Sequence, residues 1–234
     1  MSRSDVVVPR WDRRTERSLA RRLERAGPAR QSRSATWVVG LDLVAKVGLL
    51  LMVALVIVNP EYGNLEGKAP VARAVTYPLL ALVLPTFWLL SGRDWRRFPV
   101  VADLLLTLVC FSDILGNRLD LYDSIVWFDD WMHFMDTAMV AGAGVLLTVP
   151  RGAGLGVLVS RAIAIGITAA LAWEVFELVS FVMRSPEFPT AYVDTMGDLV
   201  LGWCGAVVAA LIVHLAWRHT DHAGRRGNLD LHTE

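Results

Sequence analysis

The sequence has too few cysteines for a disulfide-linked or thiolate-metal protein. Only two of its 234 residues are cysteines, Cys110 and Cys204, and both stand inside apolar stretches. Disulfide scaffolds and cysteine zinc sites need more thiols than this, at characteristic spacings. Both cysteines are therefore expected to pack among apolar neighbours.

Motifs of several enzyme classes are also missing. The sequence has no serine in a nucleophile-elbow context, no glycine-rich loop that would cradle phosphates and no arginine cluster placed for phosphoryl oxygens. Hydrolysis of a phosphate ester is therefore not specifically indicated. A secretory signal peptide is missing too, because the apolar run at 6–8 is too short for its central region. The first long apolar segment is expected to be retained as a membrane anchor.

What the chain has in excess is apolar sequence, gathered in long blocks. Hydrophobic residues make up 54% of it and the mean hydropathy is +0.45, above the usage of a soluble domain. Six blocks approach the roughly 20 residues that a spanning helix needs. They run over residues 37–58, 71–91, 98–116, 131–149, 155–182 and 193–217. This pattern predicts an all-α polytopic membrane helix bundle with about six transmembrane helices.

Charge at the ends and connections predicts the orientation of this bundle. The net charge is zero, yet the first 35 residues hold ten arginines against four acidic residues. Further arginines stand in the connection at 92–97 and after residue 217. Because cytoplasmic segments of membrane proteins are enriched in Lys and Arg, both termini are predicted to be cytoplasmic.

The chain divides into three segments on this reading. An arginine-rich cytoplasmic tail at 1–35 precedes a transmembrane domain at 36–217, and a polar cytoplasmic tail follows at 218–234. The first tail is either disordered or a short surface helix, and its arginines are expected to contact anionic lipid head groups. Nothing aromatic or folded in it supports nucleic-acid binding. Association into a homo-oligomer is left open.

Acidic residues and one histidine gather at one end of the later blocks. In chain order they are Asp113, Asp129, Asp130, His133, Asp136, Glu174, Glu177, Asp194 and Asp198. At 100° per residue, the members on each helix largely share a face. The predicted topology places all of them in the outer half of the membrane, where such residues normally face one another or a water-filled cavity.

So many carboxylates at close range require protons or a counter-cation. Arg73, Arg118 and Arg184 are the basic residues expected nearby. An oxygen-rich set with one imidazole suits a divalent cation such as Mg²⁺, Mn²⁺, Ca²⁺, Fe²⁺ or Zn²⁺. The candidate ligands are Asp129, His133, Glu177, Asp194 and Asp198. A proton-sharing network used in function and a purely structural polar network remain as alternatives.

Three motifs in this region resemble those of a known family. "FDDWMHF" at 128–134 is similar to Tyr-Asp-x-x-x-His-Phe, "WEVFEL" at 173–178 to Tyr-Glu-x-x-Glu-Trp, and "DTMGDLVLGWCGA" at 194–206 to Asp-Thr-x-x-Asp followed by Gly-Ala. These motifs are typical of the YjdF-like family of uncharacterised bacterial inner-membrane proteins and, more distantly, of VanZ-like proteins. The resemblance implies a multi-pass protein of the bacterial plasma membrane and selects Asp129, rather than Asp130, as the partner of His133. It names no reaction.

Three functions remain open from the sequence. One is an outer-leaflet enzyme acting on an amphiphilic or lipid-linked substrate, with a metal that activates water or a carboxylate that acts as general base. Its candidate catalytic residues are His133, Asp129, Glu174 and Glu177. The second is a proton- or cation-coupled transporter, in which Asp42, Lys46 and Asp103 continue a polar path inward unless Asp42 and Lys46 form only a local ion pair. The third is a non-catalytic membrane scaffold.

Overall fold

The chain folds into helices joined by short connections. A computed structural model describes residues 36–59, 61, 64–180, 182–186 and 188–230, with the backbone alone for 221–230. The helices are α1 Thr36–Val58, α2 Pro70–Leu90, α3 Val100–Arg118, α4 Leu121–Ser124, α5 Phe128–Thr148, α6 Leu155–Ser180 and α7 Ala191–Asp230, with 3₁₀ turns at Trp95–Arg97 and Val182–Arg184. Because this part of the chain contains no strand, the all-α prediction is confirmed.

The predicted end segments are only partly covered by this description. The arginine-rich tail at 1–35 lies outside the described residues, so its contact with anionic lipid remains a prediction. At the other end, α7 continues as one helix as far as Asp230. The segment at 218–230 is therefore a helical extension of the last membrane helix.

Five of the described helices are long and apolar enough to cross a membrane, judged by length and composition. They cover Thr36–Val58, Pro70–Leu90, Val100–Arg118, Leu155–Arg184 and Ala191–Thr220. The remaining long helix, α5, has 21 residues and therefore spans about 31 Å, but it begins with acidic residues. It packs against α3, α6 and α7. The polytopic bundle is thus confirmed, and α5 lies within it with neighbouring helices on several sides.

Small residues bring α5, α6 and α7 unusually close together. A Cβ atom added to Gly205 on α7 would lie 2.2 Å from the carbonyl oxygen of Phe134 on α5. One added to Gly166 on α6 would lie 2.9 Å from the Cβ of Ala206. Close backbone approach through small residues is a common way to pack membrane helices. The close approach of α5 and α7 at Gly205 also brings together the adjoining turns, which carry His133 and Asp198.

A buried ion cluster joins α1 to α3 in the half of the bundle near residues 36 and 100. The Lys46 ammonium donates to Asp42 Oδ1 at 2.6 Å, to Asp103 Oδ2 at 2.7 Å and to Thr107 Oγ1 at 2.7 Å. All four residues are buried. Three acceptors satisfy the three ammonium hydrogens. The local ion pair between Asp42 and Lys46 is therefore present, and Lys46 also bonds to Asp103 and Thr107 on α3.

Candidate functional site

A cavity of about 450 Å³ opens between the membrane helices at one end of the bundle. This end, called the cavity end below, carries the connections at 59–69, 119–127 and 181–190. Seven carboxylates line the cavity, against the two basic side chains of Lys68 and Arg73: Glu66, Asp113, Asp123, Asp129, Asp136, Glu177 and Asp194. Acidic side chains therefore outnumber basic ones on its lining.

His133 lies on the cavity wall between carboxylates from three helices. Its Nε2 atom is 3.6 Å from Asp129 Oδ1 and 3.7 Å from Asp198 Oδ2, and its Nδ1 atom is 3.5 Å from Glu174 Oε1. Asp129 is one helical turn before His133 on α5, whereas Glu174 comes from α6 and Asp198 from α7. His133, Glu174 and Asp198 are buried, while the Asp129 side chain is 49% exposed. Asp129 and His133 both face the cavity.

The separations around the imidazole are too long for direct N–H···O hydrogen bonds, which measure about 2.7–3.2 Å. Two ligand atoms that each lie about 2.1 Å from a tetrahedral ion are about 3.4 Å apart. Two sets of ligand atoms lie within 4.8 Å of one another: Asp129, His133 and Asp198, and His133, Glu174 and Glu177. These groups therefore lie close together without direct hydrogen bonds between the imidazole and the carboxylates.

Glu174 has one satisfied and one unsatisfied oxygen. Its Oε2 atom accepts a hydrogen bond of 2.8 Å from Thr195 Oγ1 on α7. Its Oε1 atom, which faces His133, is buried and has no hydrogen-bond partner among the described residues. A buried acceptor without a donor is costly. Oε1 is therefore a buried acceptor that no described donor satisfies, 3.5 Å from the Nδ1 atom of His133.

The other predicted site residues occupy different places. Glu177 lines the cavity and belongs to the second set around His133. Asp194 also lines the cavity but belongs to neither close set in the described part of the chain. Asp136 lies in the wall and accepts a hydrogen bond of 3.3 Å from Ser112 Oγ. Asp130 is exposed and does not line the cavity.

The wall formed by α2 and α3 holds a second polar group whose members bond to one another. Arg73 Nε donates to Asp113 Oδ2 at 3.2 Å and to Tyr77 Oη at 3.1 Å. The Tyr77 hydroxyl also donates to Asp113, and the Tyr122 hydroxyl donates to its other oxygen at 3.1 Å. The Arg73 guanidinium lies 5.6 Å from the ring centre of Trp173 on α6. Both oxygens of the Asp113 carboxylate therefore accept hydrogen bonds from residues of this wall.

Lys68 and Asp123 form an ion pair at the mouth of the cavity. The ammonium donates to Asp123 Oδ2 at 2.7 Å, and this bond holds the pKa of Asp123 below its usual range. A lowered carboxyl pKa means that the pair contributes stability at neutral pH and loses it as the pH falls through that pKa. Because both side chains are partly exposed, the contribution is small.

Sequence reasoning missed several residues of this site. It named Arg73 as a nearby cation but not Tyr77, which lies one turn further along the same helix. Thr195 belongs to the quoted Asp-Thr-x-x-Asp motif but was given no role of its own, and Lys68 was not placed at the site, because a loop lysine has no helical pattern to single it out. Of the other basic residues named, Arg184 is exposed, and neither it nor Arg118 lines the cavity.

A comparison with known families finds one match. The family model described as "Predicted membrane protein (DUF2238)" matches residues 42–219, which include every residue of the site. YjdF belongs to the same family, so the resemblance inferred from the three motifs is confirmed. No curated protein and no solved structure matches the chain.

Proposed function

Since the chain belongs to the DUF2238 family of predicted membrane proteins, we propose that it is a membrane enzyme with a divalent cation at Asp129, His133 and Asp198. Its substrate would be an amphiphile held in the cavity beside them. The observation that carries this proposal is the arrangement of His133, whose two ring nitrogens face buried carboxylates at distances beyond hydrogen bonding.

The two polar walls of the cavity support a cation at His133 rather than at Asp113. Around Asp113, one guanidinium and two hydroxyls already supply donors to the carboxylate. Around His133, several carboxylates converge on one imidazole and Glu174 Oε1 has no donor among the described residues. Buried carboxylates without enough donors require a proton or a metal ion. The first wall is thus structural, and the second has room for a ligand.

Each nitrogen of His133 has a distinct role in this proposal. The Nε2 atom would bind the cation together with Asp129 and Asp198, and two of these three residues, Asp129 and His133, line the cavity. The Nδ1–H group then points at Glu174, which Thr195 holds in place. A carboxylate behind a metal-bound histidine commonly orients the ring in this way. Glu174 is therefore a positioning residue.

The chemistry would take place on the cavity side of the cluster. A divalent cation there would supply Lewis acidity to a water or to a substrate carbonyl group. Glu177 lies in the cavity wall near His133 and is placed to act as general base. An enzyme of this kind needs neither the serine nucleophile nor the glycine-rich loop that the sequence lacks.

The remainder of the cavity suggests an amphiphilic substrate. Its volume falls within the range of about 300–1,000 Å³ typical of small-ligand sites. Apolar side chains from four helices also line it, including Leu80, Val109, Met132 and Val140 with Ala170. A molecule with a polar head and an apolar chain would match both parts.

Coupled transport is less well supported. The lining residues come from the cavity end and the adjoining turns, and Asp42, Lys46 and Asp103 are not among them. Those three residues bond to one another instead, together with Thr107, and Asp103 Oδ1 has no hydrogen-bond partner among the described residues. The cavity lining and this ion cluster therefore share no residue among the described ones.

We expect elemental analysis of detergent-purified protein to find about one divalent cation per chain, bound at a single mononuclear site. His133→Ala should abolish it, because the substitution removes the nitrogen ligand. His214→Ala, which removes another histidine from α7 outside the cavity, should keep it. Thermal unfolding of all three proteins would show whether they are folded. Wild-type protein without stoichiometric metal, prepared without chelators, would contradict the metal site.

Thr195→Val tests the positioning role of Glu174. The substitution keeps the shape of the side chain but removes the hydrogen bond to Glu174 Oε2, so the affinity for the metal should fall about 10- to 100-fold. Chelator competition measures this affinity. Thr168→Val on α6 is the matched control, because its hydroxyl bonds only to its own helix at Ala164. Equal affinity in the two variants would rule out the positioning role.

The proposal also includes an orientation in the membrane. The cavity end would face outward from a bacterial plasma membrane, with both termini inside, as the distribution of arginines predicts. A cysteine introduced as Thr190→Cys, in a chain with Cys204→Ser, should react with a membrane-impermeant maleimide on whole cells. Reaction only after the cells are broken would show that the cavity end faces the cytoplasm. It would not bear on the metal site.

A further inference from the structure

The connection between α2 and α3 lies at the end of the bundle opposite the cavity and is strongly basic. Residues 91–97 are all exposed. They contain three arginines, Arg93, Arg96 and Arg97, against the single carboxylate of Asp94. That carboxylate is engaged locally, because its Oδ1 atom accepts a hydrogen bond of 2.9 Å from the backbone nitrogen of Arg96. Two positive charges therefore remain in excess on this connection.

An aromatic cluster supports the arginines. The Arg93 guanidinium lies 5.0 Å from the ring centre of Phe87 and 5.1 Å from that of Trp88. The ring of Phe98 in turn packs against Trp88 at 5.6 Å and against Trp95 at 5.2 Å. Such contacts order a guanidinium on an aromatic face while leaving its edge available for hydrogen bonds.

A further hydrogen bond fixes the path of the connection. Trp88 Nε1 on α2 donates to the carbonyl oxygen of Asp94 at 3.1 Å. The 3₁₀ turn Trp95–Arg97 follows at once, with Asp94 as its N-cap. Arg96 and Arg97 are therefore presented from a short ordered turn.

The depth of this connection matches that of lipid phosphates. The membrane-spanning segment of α2 ends at Leu90 and that of α3 begins at Val100. We therefore expect the arginines between these two candidate spans at the boundary of the hydrocarbon core, where phosphate groups and tryptophan side chains are found. Leu89 and Leu90 are largely exposed just below, on a surface that acyl chains would cover.

We propose that the basic connection from Arg93 to Phe98 is a binding site for the head group of an anionic phospholipid. Arg96 and Arg97 bind the phosphate, Arg93 holds its position on Phe87 and Trp88, and the acyl chains lie along the exposed end of α2. Planar guanidinium groups are suited to phosphate oxygens through paired hydrogen bonds. The site is separate from the cavity and does not depend on the metal.

Native mass spectrometry of the full-length protein in a non-ionic detergent tests this site. Phosphatidylglycerol and phosphatidylcholine with the same acyl chains serve as probes, and the wild type should retain the first in preference. The double variant Arg96→Ala/Arg97→Ala should lose about 10- to 30-fold in affinity for phosphatidylglycerol, since each basic residue at an anionic surface contributes about fivefold.

A charge-matched control separates this site from a general basic surface. Arg151→Ala/Arg161→Ala removes two exposed arginines from the next connection at the same end and the start of α6, away from the aromatic cluster. It should change phosphatidylglycerol binding by less than about threefold. Arg93→Lys keeps the charge but loses the planar contact, so it should weaken binding several-fold.

Several outcomes would overturn the proposal. If both double variants lost the same affinity for phosphatidylglycerol, binding would depend only on the net charge of this end of the bundle. Unchanged binding in Arg96→Ala/Arg97→Ala, or equal retention of the two lipids by the wild type, would show that the connection does not select an anionic head group. None of these results bears on the metal site at His133.

Discussion

Replacing Lys46 by methionine should lower the free energy of unfolding by about 3–5 kcal/mol. The substitution leaves Asp42 and Asp103 facing each other in a buried position without their shared cation. Removing one partner of a buried ion pair is far more damaging than removing the pair, because an uncompensated charge remains. Unfolding in mixed micelles of increasing SDS content measures the loss.

The same substitution at Lys68 is the matched control. Lys68 pairs with Asp123 at the partly exposed mouth of the cavity, where the lost interaction amounts to about 0–1 kcal/mol. The combined variant Asp42→Asn/Lys46→Met/Asp103→Asn should recover much of the stability, because no buried charge remains. Similar losses for Lys46→Met and Lys68→Met would show that the α1–α3 cluster is hydrated rather than buried.

Gly205→Ala should separate α5 from α7 and destabilise the protein by about 1–3 kcal/mol or more. The added Cβ would lie 2.2 Å from the backbone carbonyl oxygen of Phe134, an atom that cannot move without its helix. Phe134 directly follows His133, so the shift would also displace the imidazole from Asp198. Reduced unfolding stability, together with weaker metal binding, is the expected result.

Gly197→Ala provides the comparison on the same helix. Its added Cβ would meet nothing within 4 Å. Alanine is the better helix former by about 1 kcal/mol, so this variant should be neutral or slightly more stable. A stable Gly205→Ala protein would mean that the contact between α5 and α7 is looser than the structure shows.

The helices of the bundle could be predicted from composition because membrane insertion acts on whole segments. Blocks of about 20 apolar residues leave few alternatives to a spanning helix, since the backbone must be hydrogen-bonded internally. Helix α5 is the instructive case. It is not among the helices that qualify as spans by length and composition, yet it packs against three of them. Its polar side chains contact the neighbouring helices. The hydropathy of one segment contains no information about such contacts.

The acidic residues and the histidine of the candidate site could be singled out from the sequence, but their contacts could not. Helical periodicity places Asp129 and His133 on one face, and Glu174 and Glu177 on another. It does not specify how far each helix is rotated about its axis. The structure brings Asp198 to His133 and leaves Asp194, one turn earlier on the same helix, outside the closest groups.

The sequence by itself determined the class of this protein: an all-α membrane bundle whose acidic residues and histidine gather at one end. Hydropathy and helical repeat are sufficient for that, because they depend on each segment alone. Only the tertiary structure decided that Lys46 also binds Asp103, that Asp113 is satisfied by Arg73 and two tyrosines, and that Glu174 Oε1 faces His133. These contacts depend on the close approach of helices at small residues such as Gly205, which sets their rotation and spacing.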